Sequence, residues 1–375
     1  MLNLFHQRPV SMLVKSIFVI CSVLLLSTGK GVLSVNGQED KTGLGRIPSL
    51  EKVIFSPDGK RILVCSGNLL KISDSNSGAE LMTLSGHNSW VRDANYSFDG
   101  KRIVSASMDH SSKVWDATSG KELLNFVSKD RFNGEEVNYL SRDVNSKYFS
   151  IFSQDGKFVY SCSGRGPAKK WDSSSGKELV LYRDATDIQT ARTGQRFLIV
   201  TSYTASVYEP SNELPGKSVL EYVAPSDQYV SECSLSPDGT KLAISFSLRD
   251  SKKGILKNPI VIDLSTKNQI ASLENDNQYV RSIKFSYDGR KIVSVSEQSA
   301  SVWDAMTGTQ LRSLDVWEGS VSWLSSAEKL VKYAEFNPTG DRLVTTYGDG
   351  YGATDKAGKS VKVWDITNLK VIFSL

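Results

Sequence analysis

The chain has 375 residues, of which 39% are hydrophobic and 23% charged, with 45 Lys and Arg against 41 Asp and Glu. Those ordinary fractions exclude a disordered chain and a multi-span membrane protein, and the length admits one large domain or two average ones. Residues 1–37 hold Arg8, Lys15 and Lys30 and no acid, so the remainder is almost neutral and its global charge makes no case for nucleic acid.

The first element is a basic lead, MLNLFHQRPVSMLVK, followed by the apolar run SIFVICSVLLLSTG and small residues at VNGQ. That order describes a secretory signal peptide cleaved near Gly37. A membrane span needs about 20 apolar residues, more than Lys15 leaves before the run ends. The reading is a signal peptide at 1–37, a linker at 38–48 and a folded domain at 49–375, secreted or periplasmic, with no membrane span in the mature chain. An uncleaved anchor is the alternative. Cys65, Cys162 and Cys233 remain after cleavage, an odd number set among strand-like residues. They are expected to be small buried hydrophobes rather than a disulfide framework.

Next comes FSPDGKRILV at Phe55–Val64, and it recurs as YSFDGKRIVS, FSQDGKFVYS, ARTGQRFLIV, LSPDGTKLAI, FSYDGRKIVS and FNPTGDRLVT. Their turn glycines are Gly59, Gly100, Gly156, Gly194, Gly239, Gly289 and Gly340. A glycine after Asp or Thr between two alternating apolar runs is a strong hairpin signal. A second pattern follows each turn, clearest in KVWDATSGKELLNF at Lys113 and KKWDSSSGKELVLY at Lys169. It reads as a strand, a polar turn and another strand. Seven units of four short strands, with no helical pattern after the apolar leader, imply a radial array of sheets that stack and close.

The GH…FDGKRIVSAS.D…KVWD pattern at Gly86–Asp116 resembles WD40 repeats, and the resemblance runs from about Ser49 to Leu375. It implies an all-β, seven-bladed β-propeller of four-stranded antiparallel blades. It also implies a buried network in the second blade joining His87, Ser107 (or Ser105), Asp109 and Trp115. Only this repeat carries GH, so only it is expected to build the full network. The His, Ser and Asp together invite a nucleophilic-triad reading, but the Ser lies within a strand and no nucleophile elbow or oxyanion loop accompanies it. The lettering is similar to WD40 arrays common in bacteria, which implies an exported bacterial protein.

Spacing shows where the repeats differ. From turn glycine to the Trp position runs 14 or 15 residues in five repeats, but 23 in the fifth and 24 in the seventh. The links from the Trp position to the next glycine are longest before the third and seventh repeats, at 41 and 37 residues. In the WD40 arrangement all four long stretches fall on one face of the disc. They supply Phe132 and Tyr139 in KDRFNGEEVNYLSRD, Arg249, Lys252 and Lys253 in LRDSKKGILK, Trp317 and Trp323 in DVWEGSVSWLSS, and Tyr347 and Tyr351 in YGDGYGATDKAG. Aromatics and arginines on long loops of a rigid scaffold are the material of interface hot spots, and tolerated length variation is the plainer reading of each loop alone. Trp90, Tyr229 and Tyr279 lie ten residues before a turn glycine, at the mouth of the expected central channel on that same face.

No catalytic residue, cofactor or metal site is predicted. Two histidines and three dispersed cysteines after residue 37 do not make a zinc site, and GDGYGATDKAG lacks the acid pattern of a calcium loop. The expectation is a monomeric, non-enzymatic scaffold for protein partners, with no nucleic acid. The alternative is an accessory or substrate-positioning propeller of an exported enzyme system, with the catalytic part beyond residue 375 or on another chain. Closure is expected by packing of the first blade on the seventh.

Overall fold

The Ser-x-Asp-Gly turns set the frame. Ser56 Oγ donates to Asp58 at 2.6 Å and accepts from the Arg61 N–H at 2.9 Å, while the Lys60 N–H donates to Asp58 at 3.0 Å. Gly59 closes this turn at φ +72°, where a side chain would be strained. The same Ser–Asp bond recurs at Ser97, Ser153, Ser236 and Ser286. A second turn type follows the Trp position. Asp116 accepts from the N–H groups of Thr118 and Ser119 at 3.0 and 2.7 Å, so the Asp of each VWD-like tetrapeptide ties a turn rather than presenting an acid to solvent chemistry.

In the computed structural model these turns join strands into blades. It describes residues 50–127, 131–132, 135–136, 147–164, 167–182, 185–193, 196–209, 216–250, 255–274, 278–296, 299–315, 331–347 and 361–375. Residues 46–375 form one compact unit. Seven four-stranded antiparallel sheets each use four consecutive strands, giving an all-β, seven-bladed propeller. The first blade comprises Leu50–Phe55, Arg61–Ser66, Leu69–Asp74 and Glu80–Leu84, and the second Val91–Tyr96, Arg102–Ser107, Ser111–Asp116 and Glu122–Val127. A two-stranded ladder, Arg131–Phe132 with Glu135–Glu136, lies in the long link after the second blade.

Burial explains why the blades must stack. Val104, Val114 and Phe126 of the second blade meet Phe152, Val159 and Trp171 of the third, and the Phe126 and Trp171 rings stack at 5.1 Å. One sheet alone would leave such faces in water, at a cost of about 25 cal/mol per Å². Cys65, Cys162 and Cys233 are buried in three different blades, and none is in a disulfide.

Basic residues just after the turn clamp one blade to the next. Arg61 donates to the Ala117 carbonyl at 2.8 Å, Arg196 to that of Gly239 at 2.9 Å and Lys291 to that of Gly340 at 3.1 Å. Arg342 of the seventh blade closes the ring in kind, donating to Asn76 Oδ1 at 2.8 Å in the first. Beneath that joint Val53, Phe55, Ile62 and Val64 pack with Val344, Val361 and Val363. The first blade therefore seals directly on the seventh, with no strand exchanged between them.

Alternating strand direction sorts the connections. The Ser-x-Asp-Gly and VWD-type turns lie at one end, the turn face. The strand ends Val127, Leu248, Asp315 and Tyr347, from which the four long stretches depart, lie at the other, the loop face.

Candidate protein-binding face

The second blade is locked by a chain of buried polar groups. Trp115 Nε1 donates to Ser105 Oγ at 2.9 Å, and Ser105 Oγ lies 2.7 Å from His87 Nε2. His87 Nδ1 is 2.8 Å from Asp109 Oδ2, and Asp109 also accepts from Ser111 Oγ at 2.6 Å. A carboxylate can only accept, so in the neutral ring Nδ1 carries the proton and Nε2 accepts from the Ser105 hydroxyl. Burial opposes ionisation of Asp109, but the bonds from His87 and Ser111 outweigh it and hold the carboxyl well below the usual range.

The central hydroxyl is thus Ser105, which corrects the assignment of Ser107 to the network. Ser107 Oγ instead donates to the Ser89 carbonyl at 3.0 Å, fastening the link that enters the blade. Ser105 is fully buried between an indole and an imidazole, so the His, Ser and Asp form a packing element with no room for a substrate carbonyl. Half of the lock recurs elsewhere: Trp171, Trp303 and Trp364 donate to Ser161, Ser294 and Thr345 at 2.9, 2.8 and 2.9 Å.

The loop face of blades four to six carries an aromatic and apolar cluster. Backbone bonds build it: Ala224 N–H donates to the Tyr203 carbonyl at 2.8 Å, and Val230 N–H to that of Ser202 at 3.0 Å. These stitch the short connection of the fourth blade to the link entering the fifth. Arg249 then lies across both, its guanidinium carbon 4.7 Å from the Tyr203 ring centre and 5.1 Å from that of Tyr229. The two rings are 5.5 Å apart. Buried Gln228 anchors the flanking insertion, donating to the Ile255 carbonyl and accepting from the Lys257 N–H, each at 3.3 Å. Tyr279 joins from the sixth blade, its hydroxyl 3.3 Å from Ser231 Oγ.

The cluster is open to solvent. Tyr203 is 48% exposed, Tyr279 39%, Val223 63% and Ile255 78%. Large apolar side chains exposed together around an arginine are unusual away from binding surfaces.

Of the residues singled out from sequence, Tyr229 and Arg249 come together here with Tyr279 beside them. Trp90, half-buried, sits apart in the second blade, its carbonyl accepting from the Met108 N–H at 2.8 Å. Phe132 and Tyr347 are placed on strands by their backbone alone. Tyr139, Lys252, Lys253, Trp317, Trp323, Tyr351 and the GDGYGATDKAG stretch lie outside the described residues. Sequence reasoning missed Tyr203, Val223 and Ile255. Tyr203 sits in a short connection, TSYTAS, where no insertion draws attention, and an isolated Tyr between Ser and Thr was the available signal.

Among the described residues no group of three His, Cys, Asp or Glu side chains is placed to hold a metal ion. No helix among them is long and apolar enough to cross a membrane.

Comparison with known proteins agrees with the architecture. The family described as "WD domain, G-beta repeat" matches at residues 78–116 and 267–304. Nuclear distribution protein PAC1 of Arthroderma otae is 30% identical over 151 residues, covering 36% of this chain and 33% of the relative. The Intraflagellar transport protein 122 homolog of Xenopus tropicalis is 29% identical over 139 residues, covering 36% of this chain and 11% of the relative. That of Danio rerio is 23% identical over 265 residues, covering 66% of this chain and 21% of its own length. The chain thus spans a third or less of each of these relatives.

Proposed function

The chain belongs to the WD40-repeat β-propellers, and from that premise we propose that it is an exported, non-catalytic scaffold that binds a protein partner through its loop face. The observation that carries the reading is the Tyr203–Arg249–Tyr229 stack, with Val223, Ile255 and Tyr279 exposed around it. Tyr offers large, rigid contact area at little conformational cost and Arg a planar, multiply donating cation, and a few such residues carry most of an interface's energy. The propeller supplies the rigid platform, and the link and insertion residues supply the contact. Export rests on the basic lead and short apolar run of residues 1–37. The non-catalytic reading is supported by the Ser105–His87–Asp109 set, which is spent on internal packing.

The test is a cross-linking capture from the exported fraction with the parent protein and a Tyr203→Ala, Arg249→Ala, Ile255→Ser variant, each verified as folded by circular dichroism. The expected result is a partner captured by the parent and lost at least tenfold from the variant. Equal capture by both would remove this face from the contact. Absence of the protein from the exported fraction would overturn the localisation.

A further inference from the structure

The seven innermost strands surround a cavity of about 430 Å³. Its turn-face end is walled by residues two positions before the turn glycines. Arg192 of the fourth blade has its guanidinium carbon 3.8 Å from the ring centre of Tyr287 in the sixth blade and 5.6 Å from that of Phe98 in the second. The same three side chains also line a separate pocket on the turn face, so they form the septum between the two spaces. These side chains therefore stand across the turn-face end of the cavity.

The wall carries six Lys and Arg side chains and four Asp and Glu. Lys52 is committed, donating to Asp93 at 2.6 Å and Asn95 at 3.0 Å. Glu335 accepts from the Tyr333 hydroxyl at 2.8 Å. Its burial favours the protonated form, against the nearby charges of Lys52, Lys284 and Arg192. Lys284 makes no hydrogen bond or close ion pair among the described residues, and Arg192 is stacked on aromatic rings, while the charges of both lie near Glu335. Stacked guanidinium faces leave the edge N–H donors available.

We infer that the central cavity is a binding site for a small anion bearing carboxylate or phosphate groups, held by Lys284 and Arg192. The volume suits such a molecule, since small-ligand pockets run from about 300 to 1,000 Å³. Lys284 and Arg192 supply the positive charge for an anion, and Phe98, Arg192 and Tyr287 stand at the turn-face end of the cavity. This site is distinct from the Tyr203–Arg249–Tyr229 surface and works without a protein partner.

Isothermal titration of the folded protein with citrate, and separately with inorganic phosphate, tests it. Saturable one-site binding of at least one probe is expected, weakened tenfold or more in Lys284→Met and unchanged in Lys121→Met, a substitution on an exposed turn. Preference for citrate or for phosphate distinguishes the carboxylate from the phosphate chemistry. A second readout does not depend on the variant folding: the bound probe slows acetylation of Lys284 in the parent protein, followed by mass spectrometry. Heats of dilution alone with both probes, equal affinity in a folded Lys284→Met, or Lys284 acetylation unaffected by a bound probe would each overturn the inference.

Discussion

Arg192 and Tyr287 meet across the axis of the propeller, guanidinium carbon to ring centre 3.8 Å, although they belong to the fourth and sixth blades. Phe98, from the second, lies 5.6 Å from the same guanidinium. One cation thereby ties together three blades that share no sheet. Arg192→Met keeps much of the bulk and removes the charge, and it is expected to lower stability by about 1 kcal/mol, the range of a partly desolvated cation–π contact. Arg192→Lys should recover only part of the loss, because an ammonium does not stack as a guanidinium does. Urea unfolding of the three proteins checks both statements.

The lock of the second blade predicts a coupled pair. Ser105→Ala leaves the Trp115 indole N–H and His87 Nε2 without their shared partner and should cost about 1–3 kcal/mol. Trp115→Phe removes the donor and part of the packing. The double variant should be less destabilised than the sum of the singles, since each breaks the same hydrogen-bonded chain. A strictly additive double-mutant cycle would contradict that chain.

Two buried carboxyls should leave opposite marks on the pH dependence of stability. Asp109 has its folded pKa below its unfolded one. Its contribution is therefore present above the ordinary Asp value of about 3.9 and is lost as pH falls through the folded pKa. Glu335 has its folded pKa raised by burial. Its contribution is full below about 4.3 and is lost as pH rises through the folded value. Asp109→Asn should flatten the acid limb, and Glu335→Gln the limb above about pH 4.3. Unfolding midpoints measured from about pH 3 to pH 8 separate the two.

Arg342 should matter as much as a clamp inside the ring. It reaches Asn76 at 2.8 Å, while Arg102 reaches the Gly156 carbonyl at 2.5 Å and Ser173 at 3.0 Å. Arg342→Ala and Arg102→Ala are each expected to cost about 1–3 kcal/mol. Thermal unfolding of both variants is the check, and a far larger loss for Arg342→Ala would mean that the closing joint is a seam weaker than the others.

The sequence announced the blades because each one repeats its own local chemistry. Ser56, Asp58 and Gly59 fix a turn among themselves, and such a turn is readable without knowing what packs above it. Ser105 and Ser107 were not separable in this way. Both face the same side of a strand with a period of two residues, and only the approach of Trp115 from the neighbouring strand, paired through Ile103, selects Ser105. The loop-face cluster was legible in part. Tyr229 and Arg249 stood out by type and position, but Tyr203 is brought to them by backbone bonds between two separate connections. Arg192 was the least visible. It occupies the position held by Pro57, Phe98, Gln154, Pro237, Tyr287 and Pro338 in the other repeats, and its partners are set by the ring rather than by the repeat.

Each blade draws its four strands from one uninterrupted stretch, and the seventh meets the first through the same kind of contact that joins the others. The order of blades along the polypeptide is then separable from their order around the axis. A circular permutant that joins Leu375 to the start of the first blade by a short linker, and opens the chain between the fourth and fifth instead, would retain every inter-blade clamp. It would convert the present closing joint into an interior one, so the free ends could be moved away from any face chosen for fusion or immobilisation.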